Sequence, residues 1–162
     1  MPKMQFNRFV PVLVAVLVLG GIGATAWAHC QVPCGIYADQ HRFEQMLEDH
    51  DTIAKAQASL AELAGKADAQ SLNQAVRWVT TKEDHATSIQ RTIADYFMTQ
   101  RIKPDADKYV EKLTAAHAVL VASMKAKQSA DPATAAALKK SILDFYRASE
   151  GKEPAFLHDH TH

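Results

Sequence analysis

The feature that most narrows the fold is the way glycine and proline divide the chain beyond Tyr37 into runs whose apolar residues recur every three or four positions. Almost nothing in this region alternates as a strand would. The first run, about Gln40 to Ala64, carries Phe43, Met46, Leu47, Ile53, Leu60 and Leu63, and Gly65 stands where a helix carboxyl cap belongs. The second opens near Ser71, a candidate amino cap, passes through Leu72, Val76, Val79, Ile89, Ile93, Tyr96 and Phe97, and is stopped by Pro104. The third, about Asp105 to Gln128, shows Tyr109, Val110, Leu113, Val119, Leu120 and Met124 at the spacing of a single buried stripe. Asp131-Pro132 reads as a cap followed by proline at the first helical position, opening a fourth run through Leu138, Ile142, Phe145 and Tyr146 that Gly151 and Pro154 end. Four amphipathic helices with short connections bury their stripes most simply as an up-down antiparallel four-helix bundle, so an all-α domain is expected over residues 38–150.

The first 28 residues differ from the rest and are set aside from the fold. Lys3 and Arg8 form a positive region, Phe9 to Ile22 is nearly all apolar, and Ala26-Trp27-Ala28 places small residues where a signal peptidase reads. The pattern predicts a secretory signal cleaved after Ala28, with signal peptidase as processing partner and an exported product, periplasmic or secreted. An uncleaved anchor is the competing reading, but Pro11, Gly20, Gly21 and Gly23 make the run a poor membrane helix. No membrane attachment is expected after cleavage. With 162 residues a single domain suffices, and 18 acidic against 18 basic side chains leave no electrostatic footprint for nucleic acid. Only two cysteines occur, Cys30 and Cys34, too few and too local for a disulfide framework.

Cleavage would make His29 the first residue of the run His29-Cys30-Gln31-Val32-Pro33-Cys34-Gly35-Ile36-Tyr37. A free amine at His29, the peptide nitrogen between His29 and Cys30, and the Cys30 thiolate can close two adjacent five-membered chelate rings on one metal ion, and Cys34 supplies a fourth donor. Two nitrogens and two sulfurs in one plane suit Ni(II), whereas tetrahedral zinc gains little from a peptide nitrogen. The His29 imidazole can swing to an axial position. Two thiolates and an anionic amide donate enough charge to bring a Ni(III)/Ni(II) couple into the range of superoxide. Pro33 and Gly35 flank Cys34 with one fixed and one permissive backbone, which favours a tight turn back towards the amino terminus.

This run, as His29, Cys30, Pro33, Cys34, Gly35 and Tyr37, resembles the nickel hook of nickel-containing superoxide dismutases, and Asp95-Tyr96-Phe97 resembles a D-Y-F segment of the same family. The resemblance extends over most of residues 29–148. It implies a four-helix bundle assembled as a homohexamer, a nickel ion held by the His29 amine, the Cys30 amide and thiolate and the Cys34 thiolate, and an axial His29 imidazole in the oxidised state. It implies further that Tyr37 screens the approach to the metal, that Glu44 orients the imidazole, that Arg77 stands near it by helix order, and that Tyr96 lines the same pocket. Gln31 departs from the pattern, since better-known members have an acidic residue there.

The activity so implied is superoxide dismutation to dioxygen and hydrogen peroxide. The alternatives are an exported nickel or copper binding protein without turnover, and a helical bundle whose Cys30 and Cys34 form a local disulfide. His41, His50, His85 and His117 are scattered at spacings that make no ligand pair and are read as surface or satisfied core residues. Trp78, Phe97, Phe145 and Tyr146 are read as core. The tail 151–162 ends in His158, His160 and His162, a tract able to bind a divalent metal weakly but read rather as a disordered terminus or an expression remnant.

Overall fold

The structure, a computed structural model, describes residues 39–155. The chain divides into two compact units, 1–32 and 33–162, and the described residues all belong to the second. They form four helices: α1 (Asp39–Leu63), α2 (Ala69–Arg91), α3 (Tyr109–Gln128) and α4 (Pro132–Glu150). α2 runs on without a break into a π-helical segment, Thr92–Arg101. The expected all-α four-helix bundle is what forms, and no described helix is long and apolar enough to cross a membrane.

The register follows from cross-helix bonds. Asp39 pairs with Tyr96 and Asp49 with His85, so α1 and α2 run in opposite directions. Gln40 with Tyr146 and Gln57 with Thr134 give the same relation between α1 and α4, and Lys127 with Thr87 sets α3 against α2. Each helix packs on its two neighbours around one core. That core contains Phe43, Met46, Ile53, Ile89, Ile93, Phe97, Val119, Leu138, Ile142, Phe145 and Tyr146, which the apolar spacing had picked out.

Local chemistry sets the helix ends, with two departures from expectation. Asp131 caps α4 by accepting from the Ala133 amide at 2.9 Å, with Pro132 in the first turn, and Gly151 closes it in the left-handed region at φ 67°. Gly65, at φ 78°, follows α1 as expected. Ser71, however, is not the cap of α2: Asp68 is, accepting from the Ser71 amide at 3.0 Å and from its hydroxyl at 2.6 Å. Those bonds hold the Asp68 carboxyl below its ordinary pKa. A carboxylate can take both donors at once, which a hydroxyl three residues later cannot. α3 likewise begins at Tyr109 rather than near Asp105, because Lys108 adopts the left-handed conformation at φ 57° and interrupts the helix there.

The stripes are also not wholly buried. Leu72, Val76 and Val79 on α2 are 54%, 66% and 43% exposed, and on α3 Val110 and Met124 lie outside the core. Position along a helix gave these residues the right spacing, but on α2 and α3 part of the stripe faces away from the core, whereas Leu138, Ile142, Phe145 and Tyr146 of α4 are all buried.

Candidate metal centre

His29, Cys30, Cys34 and Tyr37 lie outside the described residues, as do His158, His160 and His162 of the tail. Among the described residues no group of three or more His, Cys, Asp or Glu could hold a metal. His41 is exposed, His50 is buried against Asp51 and α4, and His85 is paired with Asp49. What the described residues supply is the end of the bundle from which the amino-terminal segment departs.

That end rests on a cluster of rings. Phe43 meets Phe97 at 4.9 Å, Phe145 at 5.3 Å and Tyr146 at 4.9 Å between centroids, and Phe97 meets Phe145 and Tyr96 edge to face at 4.9 and 5.1 Å. Phe97, Phe145 and Tyr146 are thus core, while Trp78 is half-buried near the far end. Above the rings lies a polar layer. Tyr96 is buried, and its hydroxyl donates to Asp39 Oδ1 at 2.6 Å. The Arg101 Nη2 and Nε donate to Asp39 Oδ2 at 2.9 and 3.1 Å. The Tyr146 hydroxyl donates to Gln40 Oε1 at 3.0 Å, and Gln40 Nε2 donates to Glu44 Oε1 at 3.0 Å. The Arg42 guanidinium sits over the Tyr96 ring, 5.4 Å from its centroid, and donates to Gln45 at 3.0 Å.

Electrostatics follow from this layer. Burial, then the bond to Asp39 and its charge, push the Tyr96 phenol up to about 12, so its proton is committed to Asp39 at neutral pH. The same carboxylate raises the Arg101 guanidinium above its ordinary value.

Glu44 and Tyr96, named from the sequence, therefore lie at one end of the bundle, Glu44 in the second turn of α1 and Tyr96 against its first residue. Arg77 does not join them. It is exposed in the first half of α2, 19 positions before Tyr96 on a continuous helix, roughly 28 Å at the usual rise. The arginines that meet the Tyr96 and Asp39 side chains here are Arg42 and Arg101, which sequence reasoning passed over together with Asp39 and Gln40. Asp39 carried one usable signal, an acidic residue opening a helix just after the cysteine run. Arg101 carried none, since five residues from Tyr96 is not a neighbour spacing on an α-helix.

The sequence model described as nickel-containing superoxide dismutase matches residues 24–151, a span that takes in the cysteine run and all four helices. The chain belongs to the nickel-containing superoxide dismutase family. It is accordingly an oxidoreductase that takes superoxide as substrate and a nickel ion as cofactor. Comparison with curated proteins and with solved structures gives no match. Residues of this chain fit a nickel ion by their chemistry, since His29, Cys30 and Cys34 place one imidazole and two thiol groups within six positions, soft and borderline donors of the kind nickel takes.

Proposed function

We propose that the chain is exported, processed after Ala28, and dismutates superoxide by a Ni(III)/Ni(II) cycle at the His29 amine, the Cys30 amide and thiolate and the Cys34 thiolate. The observation that carries this reading is the placement of His29-Cys30-Gln31-Val32-Pro33-Cys34 directly behind a signal-peptidase pattern in a chain of this family. Bound there, nickel supplies a one-electron couple able to oxidise one superoxide to dioxygen and to reduce a second, with two protons, to hydrogen peroxide. The residues of the chain do the rest. The Cys30 and Cys34 thiolates and the deprotonated amide would hold the ion and supply negative charge that brings the couple into range, and the His29 imidazole would offer a further nitrogen donor. Tyr37 screens the approach so that larger reductants are kept from the thiolates.

Tyr96, its buried phenol bonded to Asp39, stands beside the start of α1, in keeping with a role near the site, and protons for peroxide come from water or a nearby thiol or phenol. Glu44, bonded to Gln40 and 4.0 Å from the His41 ring, is a half-buried carboxylate at the same end, in keeping with a role in orienting the His29 imidazole. A homohexamer is the proposed assembly. The exposed Leu72, Val76 and Val79 are the kind of surface that a second copy covers.

The test is amino-terminal sequencing and metal analysis of the mature protein, with a superoxide decay assay. A chain beginning at His29, carrying nickel and accelerating decay is expected, and Cys34→Ser should abolish redox-active nickel binding. A mature chain that begins at Met1, or a Cys34→Ser variant as active as the parent, overturns the reading. Bound metal with decay at the background rate would identify a sequestration protein instead.

A further inference from the structure

Asp39 is the first residue of α1, and both of its carboxylate oxygens are taken by another element: Oδ1 by Tyr96 and Oδ2 twice by Arg101. An acidic residue in a first helical turn ordinarily faces the free amides of its own helix. Here it ties the start of α1 to the end of the π-helical segment instead. Tyr96 and Arg101 are five residues apart, and on an α-helix positions so spaced point about 140° away from each other. Only one of them could then face α1. The wider π turn, which closes on the fifth residue, stacks them on one side. The same offset recurs along the segment: the Thr99 hydroxyl donates to the Ala94 carbonyl at 2.6 Å, Gln100 Nε2 to the Asp95 carbonyl at 3.0 Å, and the Ile102 amide to the Phe97 carbonyl at 2.8 Å.

The consequence concerns what precedes α1. Only five chain steps join Cys34 to Asp39, a reach of at most about 18 Å, so the direction in which Asp39 is held constrains where Cys34 can stand. We propose that Asp39 is the positioning residue of the amino-terminal hook, and that the π-helical turn is the device that delivers Tyr96 and Arg101 to it. This rests on the reading of His29, Cys30 and Cys34 as nickel ligands. The clamp touches neither substrate nor metal. It fixes the base from which the ligand-bearing segment springs, and a displacement of about 1 Å in a reacting group can cost roughly a hundredfold in rate. The two arms of the clamp are suited to this role, since the phenol arm is buried over the ring cluster while the guanidinium arm is half-exposed and closes the outside.

The experiment uses the full mature chain beginning at His29, unsubstituted and as Asp39→Ala, Asp39→Asn and Arg101→Gln. Nickel is titrated into the metal-free protein, the Ni(III) electron paramagnetic resonance spectrum is recorded for its axial-nitrogen splitting, kcat and KM are separated, and helical circular dichroism monitors the bundle. Asp39→Ala should keep its helical signal, bind nickel about tenfold more weakly, as is typical when a group supporting metal ligands is lost, show an altered axial splitting, and lose kcat more than KM. Asp39→Asn, which keeps an acceptor oxygen without the charge, should fall between Asp39→Ala and the parent. Arg101→Gln should move every readout in the same direction by less, and it decides the matter if Asp39→Ala does not fold. An unchanged nickel titration and spectrum in Asp39→Ala, or in Arg101→Gln where that variant decides, overturns the clamp while leaving the hook intact. A parent chain that begins at His29 and takes up no nickel overturns the hook, and the clamp with it.

Discussion

At the end of the bundle where α1 begins, packed aromatic rings lie under a layer of acid, phenol and guanidinium, whereas the opposite end, where α3 hands over to α4, is tied by a buried lysine and a buried glutamine. Lys82 is 4% exposed, and its Nζ donates to the carbonyls of Ala126 at 3.0 Å, of Ser129 at 3.2 Å, and of Lys127. These are among the carbonyls that the end of α3 leaves without helical partners, and a cation is the favoured group beside them. Burial lowers the Lys82 pKa, with Glu83 acting in opposition. Gln57, wholly buried, reaches the Ser129 carbonyl at 3.2 Å and the Thr134 hydroxyl at 2.8 Å. The far end thus uses its polar groups to close a turn. The near end uses them to fix Asp39, the first residue of α1, and it can do so because the rings beneath already supply the packing.

If that contrast is right, the largest loss of stability should come from the ring cluster. Phe43→Ala removes the ring that touches three others and should cost about 3–5 kcal/mol in urea unfolding, as large aromatic truncations in cores do. A loss under about 1 kcal/mol would mean that the near end is not held by its rings. Lys82→Met keeps most of the stem but strips the donors from three carbonyls, and should cost about 2–3 kcal/mol. Equal costs for Lys82→Met and Phe43→Ala would erase the distinction between the ends.

The smallest effect belongs midway, at His50. Burial lowers its pKa below the ordinary 6.5, against the opposing pull of Asp51 and of the Ala135 backbone, and with Lys139 acting in the same direction as burial. The folded chain therefore favours the neutral ring. Its contribution to stability is whole above pH 6.5 and declines as the pH falls below that value, because the unfolded chain binds the proton first; the loss is complete once the pH has passed the lowered folded pKa. Urea midpoints measured from pH 7.5 downwards should show this decline, and His50→Gln should remove that share of it. An identical slope in the variant would assign the acid sensitivity elsewhere.

Much of the bundle was legible because helix periodicity and caps act over a few residues. Phe43, Met46, Ile89, Leu138 and Phe145 share a spacing that leaves no other fold as economical, and Asp131-Pro132 and Gly151 mark the ends of α4 by the backbone geometry that each prefers. Leu72, Val76 and Val79 carry the same periodicity yet face outward, since periodicity reports a shared face and not what covers it. Arg77 looked well placed by helix order, and helix length puts it far along α2 from Tyr96.

By itself, then, the sequence determined the four helices and most of their core faces, because these depend on neighbours in the chain and on the chemistry of each side chain. The meeting of Asp39, Tyr96 and Arg101 was decided only by the tertiary structure. It depends on a change of helical pitch that no local spacing announces, and on the antiparallel register that brings residues some sixty positions apart onto one carboxylate.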